Sequence, residues 1–464
     1  MKKIIVFFSL LALLVFSVGC GGPTQSADER VKQWLENDFE LVQPTGEETE
    51  IQILFDSGIN PDSGYPESFL PKAKEALERN GTGANGVMQY FVTKTIHNYN
   101  IENNNVHLNY LNWGWGDSLT QKLSTAFVSQ MGPSIIVGES QMPGYAQDGL
   151  LTPFPDDLAQ WCRENLVPAA YKAMEFNGKI YGVTPYPSVP MLFWNKTVLR
   201  NAGVDEKYIE KAPATWDEFL AVAKVLRDKG YSGGGLYCGD DLGGYLRSYP
   251  FILMNGGDVL DGDTVVLNSE KNVQTLEYFR KVAAYSRVGI LSSSEEALYK
   301  QFNMGRVGYI IDGSWRYENS IAGGIENIGY GRLPSPTGNS DINVVMGANY
   351  YSVPNYATNK DLAFKVIQSF LSKEVQWQIG RFNLRPVVNK EVGESEDFKQ
   401  ESPVQVYAYD YLKSDSLHSL PTFAKSNLAC WQQFGKAIKL SVTTTDDITD
   451  LLTNSQQEIE TILR

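Results

Sequence analysis

The sequence predicts an α/β protein of two lobes, each a mainly parallel sheet flanked by helices. Three observations predict it. At 464 residues the chain is too long for one compact core and suits two. Short apolar strand-like runs alternate with helix-patterned stretches, the order expected of a parallel sheet covered by helices. One stiff passage, from Asn177 to Lys196, reads as an extended crossing between two folded masses.

That passage opens on the turn signal Asn177-Gly178-Lys179. Ile180, Tyr181 and Val183 favour a strand. Pro185, Pro187 and Pro190 each fix φ and bias the preceding residue to extended geometry, so a helix is excluded. Met191-Leu192-Phe193-Trp194 then continues as a buried strand. A hinge strand fits these residues, and so does an ordinary edge strand.

The chain begins with a targeting pattern. Lys2 and Lys3 precede an apolar run, Ile4 to Phe16, too short to span a bilayer comfortably. Ser17-Val18-Gly19-Cys20 resembles a bacterial lipobox, although Ser17 departs from the usual leucine. Acylation of Cys20 would anchor the chain by lipid rather than by a spanning helix, and ordinary signal cleavage is the alternative. Residues 20–49 read as a polar, acidic tether. The balance of 54 acidic to 40 basic side chains, net −14, argues against nucleic acid as a partner. Cys162, Cys238 and Cys430 are widely spaced without a CxxC, which supports neither zinc nor redox chemistry. They read as small buried apolar residues, with one disulfide among them left open.

Ile51 to Phe55 is the first predicted strand, ending at Asp56. A Pro/Gly/Ser/Asp loop and two helical stretches, Glu67–Arg79 and Gly86–Asn98, follow as an insertion. Val106–Leu111 alternates as the second strand and runs into Asn112-Trp113-Gly114-Trp115. Leu119–Met131 is a helix, and Ile135–Val137 the third strand. Ligands of such sheets sit at the carboxyl ends of strands. Asp56, Trp113 and the loop Glu139-Ser140-Gln141 therefore share one rim. Beyond the crossing, Thr215 with Glu218 forms a capping box, and Trp216, Phe219, Leu220, Ala223 and Leu226 form a core stripe. Gly230–Gly244 lacks any phosphate-binding glycine pattern, but Asp240, Asp241 and Tyr245 there could reach a ligand. Val259–Val266 reads as a hairpin, and its aspartates are better explained by Asp-Gly turn chemistry than by calcium.

The chemistry of catalysis is thin. His97, His107 and His418 are the three histidines, and none has metal-ligand spacing. No GxSxG elbow occurs. Aromatic residues are the positive signal, with 9 Trp and 25 Tyr. A sugar presents apolar C–H faces that aromatic rings cover, while carboxylates and amides take its hydroxyls. Trp34 and Trp216 read as tether or core, and Trp161 and Trp377 lie on helices. Trp113, Trp115, Trp315 and Trp431, with Tyr186 and Ser188 in the crossing, are candidates for ligand contact.

Three stretches carry a family resemblance. They are the crossing NGKIYGVTPYPSVPMLFWNK, the run Pro133–Val137 with Gly144–Leu151, and Ala214-Thr215-Trp216-Asp217-Glu218-Phe219. Together they resemble family 1 of the extracellular solute-binding proteins, sugar class, from about Ile51 to the C-terminus. Gly308–Trp315 resembles that family's strand ending in Asn/Asp-Gly-x-Trp. Val344–Val353 resembles its second crossing.

The resemblance implies the two-lobe periplasmic-binding-protein fold, type II-like. It implies a signal peptide at 1–19, a first lobe from 50–186 and 347–395, and a second from 187–346 and 396–464. It implies a monomer that binds a carbohydrate, delivers it to an ABC permease and performs no reaction, with neither cofactor nor metal. The implied location is the extracytoplasmic membrane face, held by lipid on Cys20. Asp312, Asn349 and Tyr350 complete the ligand candidates. Two other readings of the residues are a binding lipoprotein for a non-sugar solute, such as a peptide or polyol phosphate, and a surface glycosidase using cleft carboxylates.

Overall fold

The computed structural model describes residues 36, 40–44, 46, 48–54, 69–80, 87–114, 116–139, 141–287, 291, 294–382, 385–401, 403–414, 416–423 and 426–464. Cys20, Asp56, Trp115 and Ser140 lie outside them.

The first sheet is built as the alternation predicts. Strand Thr49–Leu54 pairs parallel with Val106–Leu111, and Ile53 bridges Ile135 in parallel on its other edge. The next strand, Ile136–Gly138, pairs antiparallel with Tyr350–Ser352, a segment that returns from far along the chain. Ile51, Ile53 and Leu54 are buried against Phe91, Ile96 and Leu123 of the flanking helices. The two predicted insertion helices appear as Phe69–Asn80 and Val87–Asn104. The second holds part of the expected tether against the body. Asn98 accepts from the Val42 amide at 3.0 Å and donates to the Glu40 carbonyl at 2.9 Å.

The second sheet departs from the parallel order. Met191–Asn195 is its centre and runs antiparallel to both Tyr309–Asp312 and Ile328–Gly331. The reason is topological. The central strand enters straight from the crossing, so it runs away from the hinge, whereas its neighbours return towards it. Met191 faces Asp312 in the register, which puts the carboxyl end of that strand beside the crossing. All five residues of the central strand are buried, as an apolar run covered on both faces should be. Leu192 and Trp194 join the core of the second lobe, while Met191 and Phe193 join the other cluster.

Local chemistry sets the helices of this lobe. The Thr215 hydroxyl accepts from the Glu218 amide, and the Glu218 carboxylate accepts from the Thr215 amide, so the capping box forms as read. Trp216 stacks on Tyr278 with centroids 4.2 Å apart and donates to the Pro334 carbonyl. The hairpin forms between Leu260–Asp261 and Thr264–Val265, with Gly262 at φ +58°. Cys162, Cys238 and Cys430 are buried and none of them is disulfide-bonded, which answers the open disulfide question among them.

Candidate functional site

Two chain segments cross between the lobes, and they pair with each other. Ser188 and Met346 exchange both backbone hydrogen bonds at 2.7 Å. Val183 and Tyr351 do the same at 3.2 and 2.7 Å. Side chains fix the pair from outside: Gln376 donates to the Pro185 carbonyl, and Asn343 to the Pro190 carbonyl. Between the two bridges lies Gly347 at φ +58°, where a side chain is strained. A Cβ there would also stand 2.8 Å from the Arg385 guanidinium and 3.1 Å from the Trp315 ring.

Both sheets aim strand ends at this crossing. Ile136–Gly138 leads to Glu139 in the first lobe, and Tyr309–Asp312 leads to Trp315 in the second. Between them is a cavity with about 500 Å³ of space, part of it open to solvent. Glu139, Pro143 and Tyr350 line one side, Leu242 and Leu246 the other, and Gly347 the crossing. Burial raises the phenols of Tyr245 and Tyr350, and the Glu139 charge raises both further. The carboxylate is therefore near two rings that belong to opposite lobes.

The sequence candidates separate into groups. Glu139 and Tyr350 line the cavity. Gln141 is half-buried two residues after Glu139, and Trp113 and Trp315 are half-buried after strand ends. The Trp315 ring carries Arg385 over its face at 4.0 Å, and the same guanidinium lies 5.4 Å from the Tyr186 ring. Tyr186, Ser188 and Asn349 are enclosed in the crossing itself, where the Asn349 amide donates to the Tyr186 hydroxyl. Asp241 is an N-cap: one carboxylate oxygen accepts from the Gly244 amide and the other from the Tyr237 hydroxyl.

Two expectations need correction. Asp312 was expected at the cleft, but it is fully buried between Arg247 and Arg316, at 2.5 and 2.7 Å. Burial alone would raise its carboxyl, but the two guanidinium groups outweigh it and hold the carboxyl below its usual range. Both of its oxygens are thereby committed to the lobe's interior. Trp431 was expected as a platform for ligand. It is 0% exposed and boxed by Tyr245, Tyr249, Phe423 and Phe434. Its indole donates to the Pro421 carbonyl at 3.1 Å. Its helix, Asn427–Thr443, turns that face into the lobe, where Tyr245 is equally buried. Sequence reading missed Arg385. An arginine in a loop before Pro386 carries no periodic signal, and its two aromatic partners are distant in sequence.

Paired crossing strands, strand ends converging on them and a cavity walled by both lobes define a cleft-type binding protein. The chain belongs to the bacterial extracellular solute-binding protein family, whose model matches residues 80–377. That makes it a substrate-binding protein of transport rather than an enzyme, and implies an extracytoplasmic location. A binding protein of Brucella abortus is 24% identical over 284 residues, 60% of this chain and 67% of that one. The arabinooligosaccharide-binding protein of Bacillus subtilis is 26% identical over 206 residues, 42% of this chain and 45% of that one. The solved structure of maltose-bound MalE3 from T. maritima superposes with a TM-score of 0.68 at 17% identity. It covers 89% of this chain and 100% of its own, and it shows the shared fold. Among the described residues no helix is long and apolar enough to cross a membrane.

Proposed function

We propose that the protein captures a carbohydrate between its lobes, closes on it and hands it to a membrane ABC permease. The observation that carries this reading is the cavity with walls from both lobes, floored by paired crossing strands. Closure in such a frame is a small φ/ψ change in a few crossing residues, and Gly347 is the residue able to absorb it. The lobes are taken as 50–186 with 347–395, and 187–346 with 396–464. Glu139, Gln141, Trp113, Tyr245, Trp315 and Tyr350 are the proposed ligand contacts among the described residues, with Asp56, Trp115 and Ser140 proposed on sequence alone. The protein acts as a monomer and is held at the outer membrane face by lipid on Cys20.

Relatives named for oligosaccharides support the ligand class. A thermal-shift screen over saccharides, amino acids, peptides and polyol phosphates tests it. A ligand at a hundred times its Kd stabilises by about 2.7 kcal/mol, a readily measured shift. Saccharides alone should produce it. A response confined to the other classes, or hydrolysis of an added oligosaccharide, contradicts the reading.

A further inference from the structure

A second groove shares no described lining residue with the cavity between the lobes. Helix Lys373–Phe382 supplies four of its residues. The other face of that helix is locked inward. Val375, Gln376 and Ile379 are fully buried there. The Gln376 side chain donates to the Pro185 and Phe370 carbonyls and accepts from the Val388 and Asn389 amides. Lys373, Glu374, Trp377 and Gln378, spaced i, i+1, i+4 and i+5, fall together on the opposite face. They line a groove of about 480 Å³. That lies in the roughly 300–1,000 Å³ range of small-molecule sites. Glu391, Val392 and Asp397, from the helical segments that follow, help to wall it, with Thr95 from Val87–Asn104.

The chemistry of this lining is mixed. Trp377 is half-buried, packed edge-on to Phe398 with centroids 6.5 Å apart, and still lines the groove. Val392 adds an aliphatic contact. Glu374 and Asp397 bring carboxylates that accept, and Gln378 brings an amide that donates and accepts. The Gln378 carbonyl oxygen has no hydrogen-bond partner in the protein, and the broad last torsion of glutamine lets either end of the amide turn to a ligand. Lys373 pairs with Glu391 in the same groove, so a cationic ligand would meet a like charge there. A neutral ligand with an apolar face and many hydroxyls fits an indole surrounded by carboxylates and an amide.

We propose that this groove is a second saccharide site, separate from the cleft, in which a sugar ring lies on Trp377 and its hydroxyls bond Gln378, Glu374 and Asp397. It goes beyond the cleft reading and does not depend on it. All of its described lining belongs to helices anchored on one core, so binding there needs no closure of the lobes.

The test is fluorine NMR of the protein carrying fluorotryptophan, with Trp377→Phe and Trp315→Phe used to assign the two resonances. Maltotriose, arabinotriose, xylotriose and spermidine are titrated in turn. At least one saccharide should move the Trp377 resonance saturably, with a midpoint different from that of Trp315. Asp397→Ala, at an exposed position, and Gln378→Ala should each raise the Trp377 midpoint by about three- to tenfold and leave the Trp315 response unchanged. A Trp377 resonance that ignores every saccharide while Trp315 responds overturns this inference and leaves the cleft reading standing. A Trp377 response to spermidine alone makes the groove a cation site and overturns it too. So does a Trp377 shift that shares the Trp315 midpoint and ignores both variants, since it then only reports closure. Movement of Trp377 without Trp315 supports this site and counts against the cleft.

Discussion

Trp431→Ala separates a core role from a ligand-platform role. The side chain is 0% exposed, touches four aromatic rings with centroids at 5.1, 5.6, 5.8 and 6.0 Å, and donates to the Pro421 carbonyl. Truncation opens a cavity where neighbours on three different segments cannot readily collapse. A buried Trp→Ala change of this kind costs about 3–5 kcal/mol. Denaturant unfolding without ligand measures it, as a lower midpoint at unchanged slope. Affinity should fall as well, but through displacement of Tyr245 and the Pro421 loop. Trp431→Phe, which keeps most of the packing, should restore most of the affinity. A stability loss below about 1 kcal/mol together with a large affinity loss would refute the core assignment and return Trp431 to the cleft.

The remaining predictions address the ion network, the hinge and the anchor. Asp312→Ala leaves Arg247 and Arg316 buried without their shared carboxylate, and should cost about 3–5 kcal/mol in denaturant unfolding. The Asp312 carboxyl is held below its ordinary value in the folded state, so its stabilisation is present above the unfolded pKa and is lost as pH falls through the folded one. Wild-type melting temperature should therefore drop below about pH 4, and the Asp312→Ala variant should show a shallower acid slope. Gly347→Val strains a φ of +58° and drives a side chain into Arg385 and Trp315. About 1–3 kcal/mol of strain should appear, and small-angle scattering should report a more open form. Cys20→Ala should move the mature protein from the membrane fraction to the medium, and unchanged partition would remove the lipid anchor from the account.

Features written in local chemistry were legible in the sequence. The capping box needs only Thr215 and Glu218, three positions apart, and it forms as read. The extended backbone of this passage was legible because Pro185, Pro187 and Pro190 fix φ whatever surrounds them, but its role as a crossing rather than an edge strand came from the family resemblance. The parallel first sheet followed from alternation, but the antiparallel centre of the second did not. Periodicity identifies Met191–Asn195 as a strand without saying from which end its neighbours arrive. Asp312 sat correctly at a strand end, yet its decisive partner, Arg247, lies 65 residues away. Trp431 sat correctly on a helix, but residue type does not reveal which face of that helix meets the lobe's interior. Arg385 gained meaning only once Tyr186 and Trp315 were brought beside it by the fold.

Small-angle scattering with increasing concentrations of the saccharide found in the thermal-shift screen tests the central claim most directly. Capture by closure predicts a saturable fall in radius of gyration that follows the calorimetric binding curve. It also predicts that Gly347→Val reduces that fall. Tight saccharide binding with an unchanged radius of gyration in both wild type and Gly347→Val would contradict a cleft that closes on its ligand.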